Sequence, residues 1–534
     1  MMPGRWVASA LLLALHGLLC LQPATRAEMQ GDDGSIEDGS SIHFPVSPPV
    51  VPDAAEERRE HFRALEAKDL FRYERLLAMS SPRNGSRRQA RQTSKVPDVL
   101  SDTSEFAELP MRSALNTAHV GMYLVSVRFG TPALPFNLVL DTANDLTWIS
   151  CRLRRRKGKH YGRSSAAQTM SVGADGVPVK KATTNFFRPS KSSSWRRIRC
   201  SQPECGVLPY TTCEKEFTQA ASCSYHQKVQ DGTVSIGIYG MEKATVALSD
   251  GKMAKLPGLV LGCSVMEAGL AVDAHDGVLS LGNGEVSFGV IASSRFASRF
   301  SFCLLSANSE RAASSYLTFG PNPAVMGPGT MVTDISYNNY ARVAFGFHVT
   351  GISVGGQPLD IPPEVWDDKL RYGGVVLDTG TSLTGLVTAA YDAVTGALDS
   401  HLGHLPRVTD IAGFDFCYNW TFTGDGVDPA HNVTIPSFDV ELLGGAVLQA
   451  DAKSVVMPEV QRGVACLAFR KLQEGPNIIG NVLMQERIWE FEHRTGVMRF
   501  RKDKCINHHL KGNNSTANIH QADAPGPSSA SSDF

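Results

Sequence analysis

The sequence predicts a mostly β protein built as two related lobes with few helices, and three observations carry that expectation. From Gly121 to Cys505, stretches such as GMYLVSVRFGTP and FNLVLDT alternate or run apolar and stop at Gly or Pro, which is the pattern of strands. That region holds about 390 residues, too much β structure for a single sandwich. An apolar run ending on aspartate also occurs twice, as LVLDTANDLTWISC at 138–151 and as VVLDTGTSLTGL at 375–386.

Taken in chain order, the first element stands outside the fold. The run VASALLLALHGLLCL after Arg5, followed by ATRA, reads as a secretory signal peptide covering residues 1–27. It is short for a membrane span, which needs roughly twenty apolar residues, so no anchor is expected in the mature protein. Residues 28–112 contain an amphipathic stretch, EERREHFRALEAKDLFRYERLLA, and the basic cluster RNGSRRQARQ. No strand alternation is heard there, and the placement suits a removable prosegment. The first lobe is expected over 113–328 and the second over 329–505, with strands at ATVALSD, KLPGLVLGC, SYLTFG, FGFHVTGISVGG, FDVELL, VACLAF and RIWEFEHRTGVMRF. YDAVTGALDSHLG is the best helix. Residues 506–534 are polar and rich in Pro and Ser, so a disordered tail is expected.

Composition narrows the function classes. The 534 residues carry 52 Lys and Arg against 53 Asp and Glu, a net charge of −1 that names no charged partner. A basic insertion at about 152–185, beginning RLRRRKGKH, brings no recognition fold with it and reads as a solvated loop without nucleic-acid binding. Of 11 cysteines, Cys20 leaves with the signal peptide, and the even remainder in a secreted chain points to disulfides. Zinc is set aside because no CxxC and no histidine at finger spacing occurs; no metal or other cofactor is expected. Sequons at Asn84, Asn419, Asn432 and the overlapping Asn513/Asn514 suit a glycoprotein of the secretory pathway, bound for the cell exterior, the wall or the vacuole.

The duplicated turn carries the chemistry. Residues 138–147 and 375–384 agree at Val139/Val376, Leu140/Leu377, Asp141/Asp378, Thr142/Thr379, Leu146/Leu383 and Thr147/Thr384. A carboxylate at the end of an apolar strand is costly unless it is used. A pseudo-twofold axis relating the lobes brings Asp141 and Asp378 together, and two like charges a few ångströms apart share one proton between them. Such a pair holds a water, ionises it for attack on a peptide carbonyl and protonates the leaving nitrogen, with no metal and no covalent nucleophile. Small residues after each Asp let backbone N–H groups approach, and Thr142 and Thr379 can brace the turns.

These residues resemble a pepsin-type aspartic protease, and more narrowly the plant nepenthesin-like branch. The likeness spans about residues 119–505 and rests on GMYLVSVRFGTP, DTANDLTWISC, DGVLSLGNGEVSFG, FSFCLL, GISVGGQPLDIPPEVW, GGVVLDTGTSLTGLVTAAYDAV, FDFCYN, ACLAF and NIIGNVLMQERIWEFEHRTGVMRF. It implies two six-stranded β lobes about a central cleft, an acidic optimum, polypeptide substrates, inhibition by the chain's own prosegment, and action as a monomer. Asp141 and Asp378 would be catalytic, supported by Thr142, Asn144, Thr379, Gly380 and Thr381. The resemblance further implies the disulfides Cys200–Cys223, Cys205–Cys213, Cys303–Cys505 and Cys417–Cys466, leaving Cys151 and Cys263 to each other.

Three departures fall in the first half. Ala143 replaces the glycine of the usual Asp-Thr-Gly, with Asn144 in place of a hydroxyl residue. In the hairpin resembling the family's flap, CSYHQKVQDGT puts Val229 at the tyrosine and Gln230 at the glycine, ahead of the matching Asp231 and Gly232. Ser280 stands in GVLSLG where a glycine packs behind the aspartate turn. These changes motivate a second reading, a non-catalytic binding protein like the plant xylanase inhibitors of this superfamily.

Overall fold

The computed structural model describes residues 107–113, 121–153, 170–172, 186–213, 222–228, 234–248, 252–268, 275–306, 315–339, 341–411, 413–422, 426–429 and 431–505. All of them fall in the compact unit Pro49–Phe534. The expected signal peptide, nearly all of the prosegment, most of the basic insertion, the flap positions 229–232 and the tail lie outside the described residues. Among the described residues no helix is long and apolar enough to cross a membrane.

The architecture is mostly β, as the punctuated apolar runs predict. In the first half, Tyr123–Phe129 pairs antiparallel with Leu134–Asp141, and the long strands Val234–Leu248 and Met253–Ala268 pair with each other in the same 16-stranded sheet. Alternation holds over the second part of Tyr123–Phe129: Val125, Val127 and Phe129 are buried while Ser126 is half-buried and Arg128 exposed. In the second half, Phe345–Gly346, Val375–Asp378, Asn477–Gly480, Thr384–Val387 and Phe469–Leu472 form a five-stranded sheet. The helix expected over YDAVTGALDSHLG is Thr388–Leu402, packed through Ala390, Val394 and Leu398.

The seam between the halves continues the 16-stranded sheet that holds the first-half strands. Arg299–Cys303 pairs antiparallel with Arg487–Glu492, which continues to Val497–Lys502 and then to Met331–Asp334. Its inner face is aromatic: Phe300 stacks on Phe491 at 4.9 Å, and Phe345 lies 5.0 Å from Phe491. The outer face carries buried ions, with Arg499 reaching Glu490 at 3.0 Å and Glu492 at 2.9 Å.

One strand was not legible in the sequence. Ala107–Ser113 inserts between Tyr123–Phe129 and Ser315–Phe319, with Leu109 and Met111 buried, so the boundary expected at 112/113 falls inside it. Pro110 in mid-strand disguised it, since proline donates no ladder hydrogen bond.

Cys151–Cys263, Cys303–Cys505 and Cys417–Cys466 are bonded as the resemblance implied. The other two bridges correct it: Cys200 bonds Cys213 and Cys205 bonds Cys223, replacing the expected Cys200–Cys223 and Cys205–Cys213. Burial explains the exchange. The short helix Pro203–Val207 drives Cys205 into the cluster of Ile198, Leu208, Tyr225 and Tyr239, where Cys223 is also buried. Cys213 is exposed and meets the half-buried Cys200 instead.

Candidate active site

Asp141 and Asp378 close the strands Leu134–Asp141 and Val375–Asp378, and both are buried, at 2% and 0% exposure. Behind each aspartate the same three-strand arrangement recurs. Gly277–Ser280 runs parallel to the first aspartate strand, with Ser280 opposite Asp141, and pairs antiparallel with Trp148 and Ile149. Asn477–Gly480 runs parallel to the second, with Gly480 opposite Asp378, while Gly385 pairs antiparallel with Ile478. The sequence repeat is therefore a structural repeat.

The two turns are joined by a reciprocal brace. Thr142 N–H donates to Thr379 Oγ1 at 3.2 Å, and Thr379 N–H donates to Thr142 Oγ1 at 3.0 Å. Each hydroxyl donates in turn to the carbonyl preceding the opposite aspartate, Thr142 to Leu377 at 3.1 Å and Thr379 to Leu140 at 2.9 Å. Four buried hydrogen bonds thus tie residues 235 to 239 positions apart and hold the two aspartate turns together.

Around each carboxylate the donors match and then diverge. Ala143 N–H donates to Asp141 Oδ1 at 3.0 Å, and Gly380 N–H donates to Asp378 Oδ1 at 2.9 Å. Thr381 Oγ1 adds a short bond of 2.6 Å to Asp378 Oδ2. At the matching place Asn144 accepts the Leu146 N–H on its own Oδ1 at 3.0 Å, the hydrogen bond of an Asx turn.

The other departures are absorbed locally. The Ala143 methyl enters an apolar cluster with Ala341, Ala344, Val376 and Ile478 of the second half. Ser280 Oγ meets Thr147 Oγ1 at 2.7 Å and takes the Phe288 N–H at 3.0 Å, fixing the start of the helix Phe288–Ser293. The same position in the second half tolerates only glycine: a Cβ on Gly480 would sit 2.5 Å from the carbonyl oxygens of both Ser382 and Leu383.

One supporting residue escaped the sequence reading. Asn481, buried directly after Gly480, donates to Thr379 O at 3.0 Å and to Gly121 O at 2.7 Å, so the brace is tied to the start of the first lobe. An Asn following IIG within a buried apolar run was the available signal. At the flap root, Tyr225 is buried with its hydroxyl 3.2 Å from Ser235 Oγ, and burial pushes its pKa up; positions 229–232 are outside the described residues. Asn419 and Asn432 are exposed, and Asn84, Asn513 and Asn514 are likewise outside.

Comparison with known proteins agrees with this geometry. Residues 123–321 match the family model described as xylanase inhibitor N-terminal, and residues 344–502 the one described as xylanase inhibitor C-terminal. The chain is 30% identical to aspartyl protease family protein 2 of Arabidopsis thaliana over 68% of this chain and 67% of that one. It is 26% identical to the aspartic proteinase nepenthesin-1 of Nepenthes gracilis over 72% and 78% of the two chains. Among solved structures, that titled edgp superposes with a TM-score of 0.56 at 17% identity, covering 74% of this chain and 95% of that one. Soybean basic 7S globulin gives 0.54 at 16%, covering 75% and 97%. The repeated aspartate turn, the threonine brace and these matches together place the chain in the pepsin-like aspartyl protease family, on its nepenthesin-like plant branch.

Proposed function

We propose that the protein is an aspartic endopeptidase that hydrolyses peptide bonds in acid, with Asp141 and Asp378 as its catalytic pair. The observation that carries this reading is the reciprocal Thr142–Thr379 brace, which sets two buried carboxylates at mirrored turns. The pair shares one proton. Its ionised member takes a proton from a water as that water attacks the scissile carbonyl; the protonated member donates to the carbonyl oxygen and then protonates the leaving amine. Ala143 and Gly380 N–H groups and the Thr381 hydroxyl orient the carboxylates from behind. No cofactor enters these steps.

The working protein would be a secreted monomer released from a prosegment within 28–112, with strand Ala107–Ser113 bearing on where that segment ends. The five disulfides support an oxidising compartment. The test is hydrolysis of a denatured protein between about pH 3 and 5 by acid-activated material, with and without a statine-containing peptide, beside Asp141→Asn and Asp378→Asn. Statine-sensitive activity that disappears in both variants is expected; equal residual activity in all three proteins overturns the reading.

A second reading keeps the fold and gives up the chemistry. The matches to xylanase-inhibitor models, and an Asn144 Oδ1 that takes the Leu146 N–H where the second turn has a hydroxyl, favour a binding protein. It predicts no statine-sensitive hydrolysis at any acidic pH.

A further inference from the structure

Between residues 152 and 199 stand fourteen of the chain's 52 Lys and Arg but one of its 53 acids, Asp175. The described end of that span is rigid. Arg196–Arg197 forms a short strand antiparallel to Gly240 and Met241, Ile198 N–H donates to Tyr239 O at 3.1 Å, and Cys223 N–H donates to Ile198 O at 2.9 Å. Arg199 N–H bonds Gln202 Oε1 at 2.7 Å, and Gln202 N–H returns to Arg199 O at 3.0 Å. The Cys200–Cys213 and Cys205–Cys223 bridges anchor the segment that follows.

This frame borders a cleft of about 480 Å³ lined by Arg196, Arg197, Arg199, Ser201, Gln202 and Glu204. Its lining carries three arginines and one carboxylate, with Ile198 and Met241 as its apolar part, so by charge count the cleft is cationic. Guanidinium forks grip planar carboxylates with two parallel hydrogen bonds. Their rigid backbone lowers the ordering cost of binding. Ser201 and Gln202 add neutral groups of the kind that meet sugar hydroxyls.

We propose that this cleft binds a linear acidic polysaccharide of the uronate type, its carboxylates against the arginines and its ring hydroxyls against Ser201 and Gln202. Nucleic acid fits less well. No aromatic side chain lines the cleft among the described residues, and Trp195, next to Arg196 in the chain, is packed 5.6 Å from Phe187 and so close over Gly240 that a Cβ there would lie 2.3 Å from it, which removes it as a stacking platform for bases. The disulfides also mark an oxidising compartment, where the abundant polyanions are carbohydrates.

The test titrates the full-length protein with polygalacturonate, with uncharged galactan and with a single-stranded oligonucleotide of matched charge, at low and at high salt. Polygalacturonate is expected to bind, to weaken by about tenfold or more as salt rises and the Debye length shrinks, and to weaken by about tenfold in Arg196→Gln/Arg199→Gln with its melting temperature unchanged. Arg199→Lys keeps the charge and loses the fork, and is expected to weaken binding severalfold, which keeps the test open if the double variant does not fold. Unaltered affinity in either variant overturns the proposal. So does galactan binding as tightly as polygalacturonate, or tighter binding of the oligonucleotide. Peptide hydrolysis is expected to be the same in all these proteins, because the cleft acts apart from the aspartates.

Discussion

The two aspartate turns share one plan, yet the second is built more strictly than the first. In the second half Gly480 sits where no side chain fits, and Thr381 gives its hydroxyl to Asp378. In the first half the equivalent positions are Ser280, which bonds Thr147 and Phe288, and Asn144, which bonds Leu146. The brace between them is symmetric all the same. The difference teaches that the geometry needed from a pair can survive when one partner's surroundings are rebuilt, provided each added atom finds a hydrogen bond or an apolar neighbour.

The largest effect expected is on hydrolysis. Asp141→Asn and Asp378→Asn should each lower kcat/KM by about a thousandfold or more, and an active Asp141 variant would break the equivalence of the turns. Next comes stability at the paired positions behind them. Gly480→Ala pushes a methyl against two backbone carbonyls and should cost about 3 kcal/mol, while Ser280→Gly loses hydroxyl bonds worth about 1–2 kcal/mol; thermal unfolding of both reads the asymmetry.

The seam between the halves gives a pH-dependent term. His493 is packed between Phe300 and Phe345, each with ring centroids 5.4 Å away, and burial lowers its pKa from 6.5 to about 4. A depressed histidine pKa means that the unfolded chain binds the proton first. The contribution of His493 to stability is therefore fully present above about pH 6.5, is lost as pH drops toward 4 and is flat below. His493→Phe should flatten that slope, a change of about 1–2 kcal/mol once partial solvent access is allowed for, seen in melting temperatures across the window. The smallest effect is expected at Asn144. Asn144→Ser restores a hydroxyl beside Asp141 and should raise kcat/KM by up to about tenfold; no gain would show that the first turn needs no such donor.

Much of this was legible because it rests on local pattern. Strands such as Tyr123–Phe129 announce themselves by alternation, and Asp141 and Asp378 by a repeat with the same residues at the same offsets. What was not legible depends on tertiary packing. Ala107–Ser113 carries Pro110 at its centre, between the buried Leu109 and Met111, so it reads as a strand only once its neighbours exist. The exchange of partners among Cys200, Cys205, Cys213 and Cys223 turns on which sulfur a short helix buries, and spacing along the chain does not carry that information. Asn481 matters through the carbonyls of Thr379 and Gly121, groups that every residue possesses and no sequence motif marks.

The Cys303–Cys505 bridge closes a span of 202 residues from the last part of the first half to the end of the described fold. A single proteolytic nick anywhere between those two cysteines leaves both fragments covalently attached. A form cut once within that span would therefore migrate as one species on a non-reducing gel and separate into two bands only when a thiol is added.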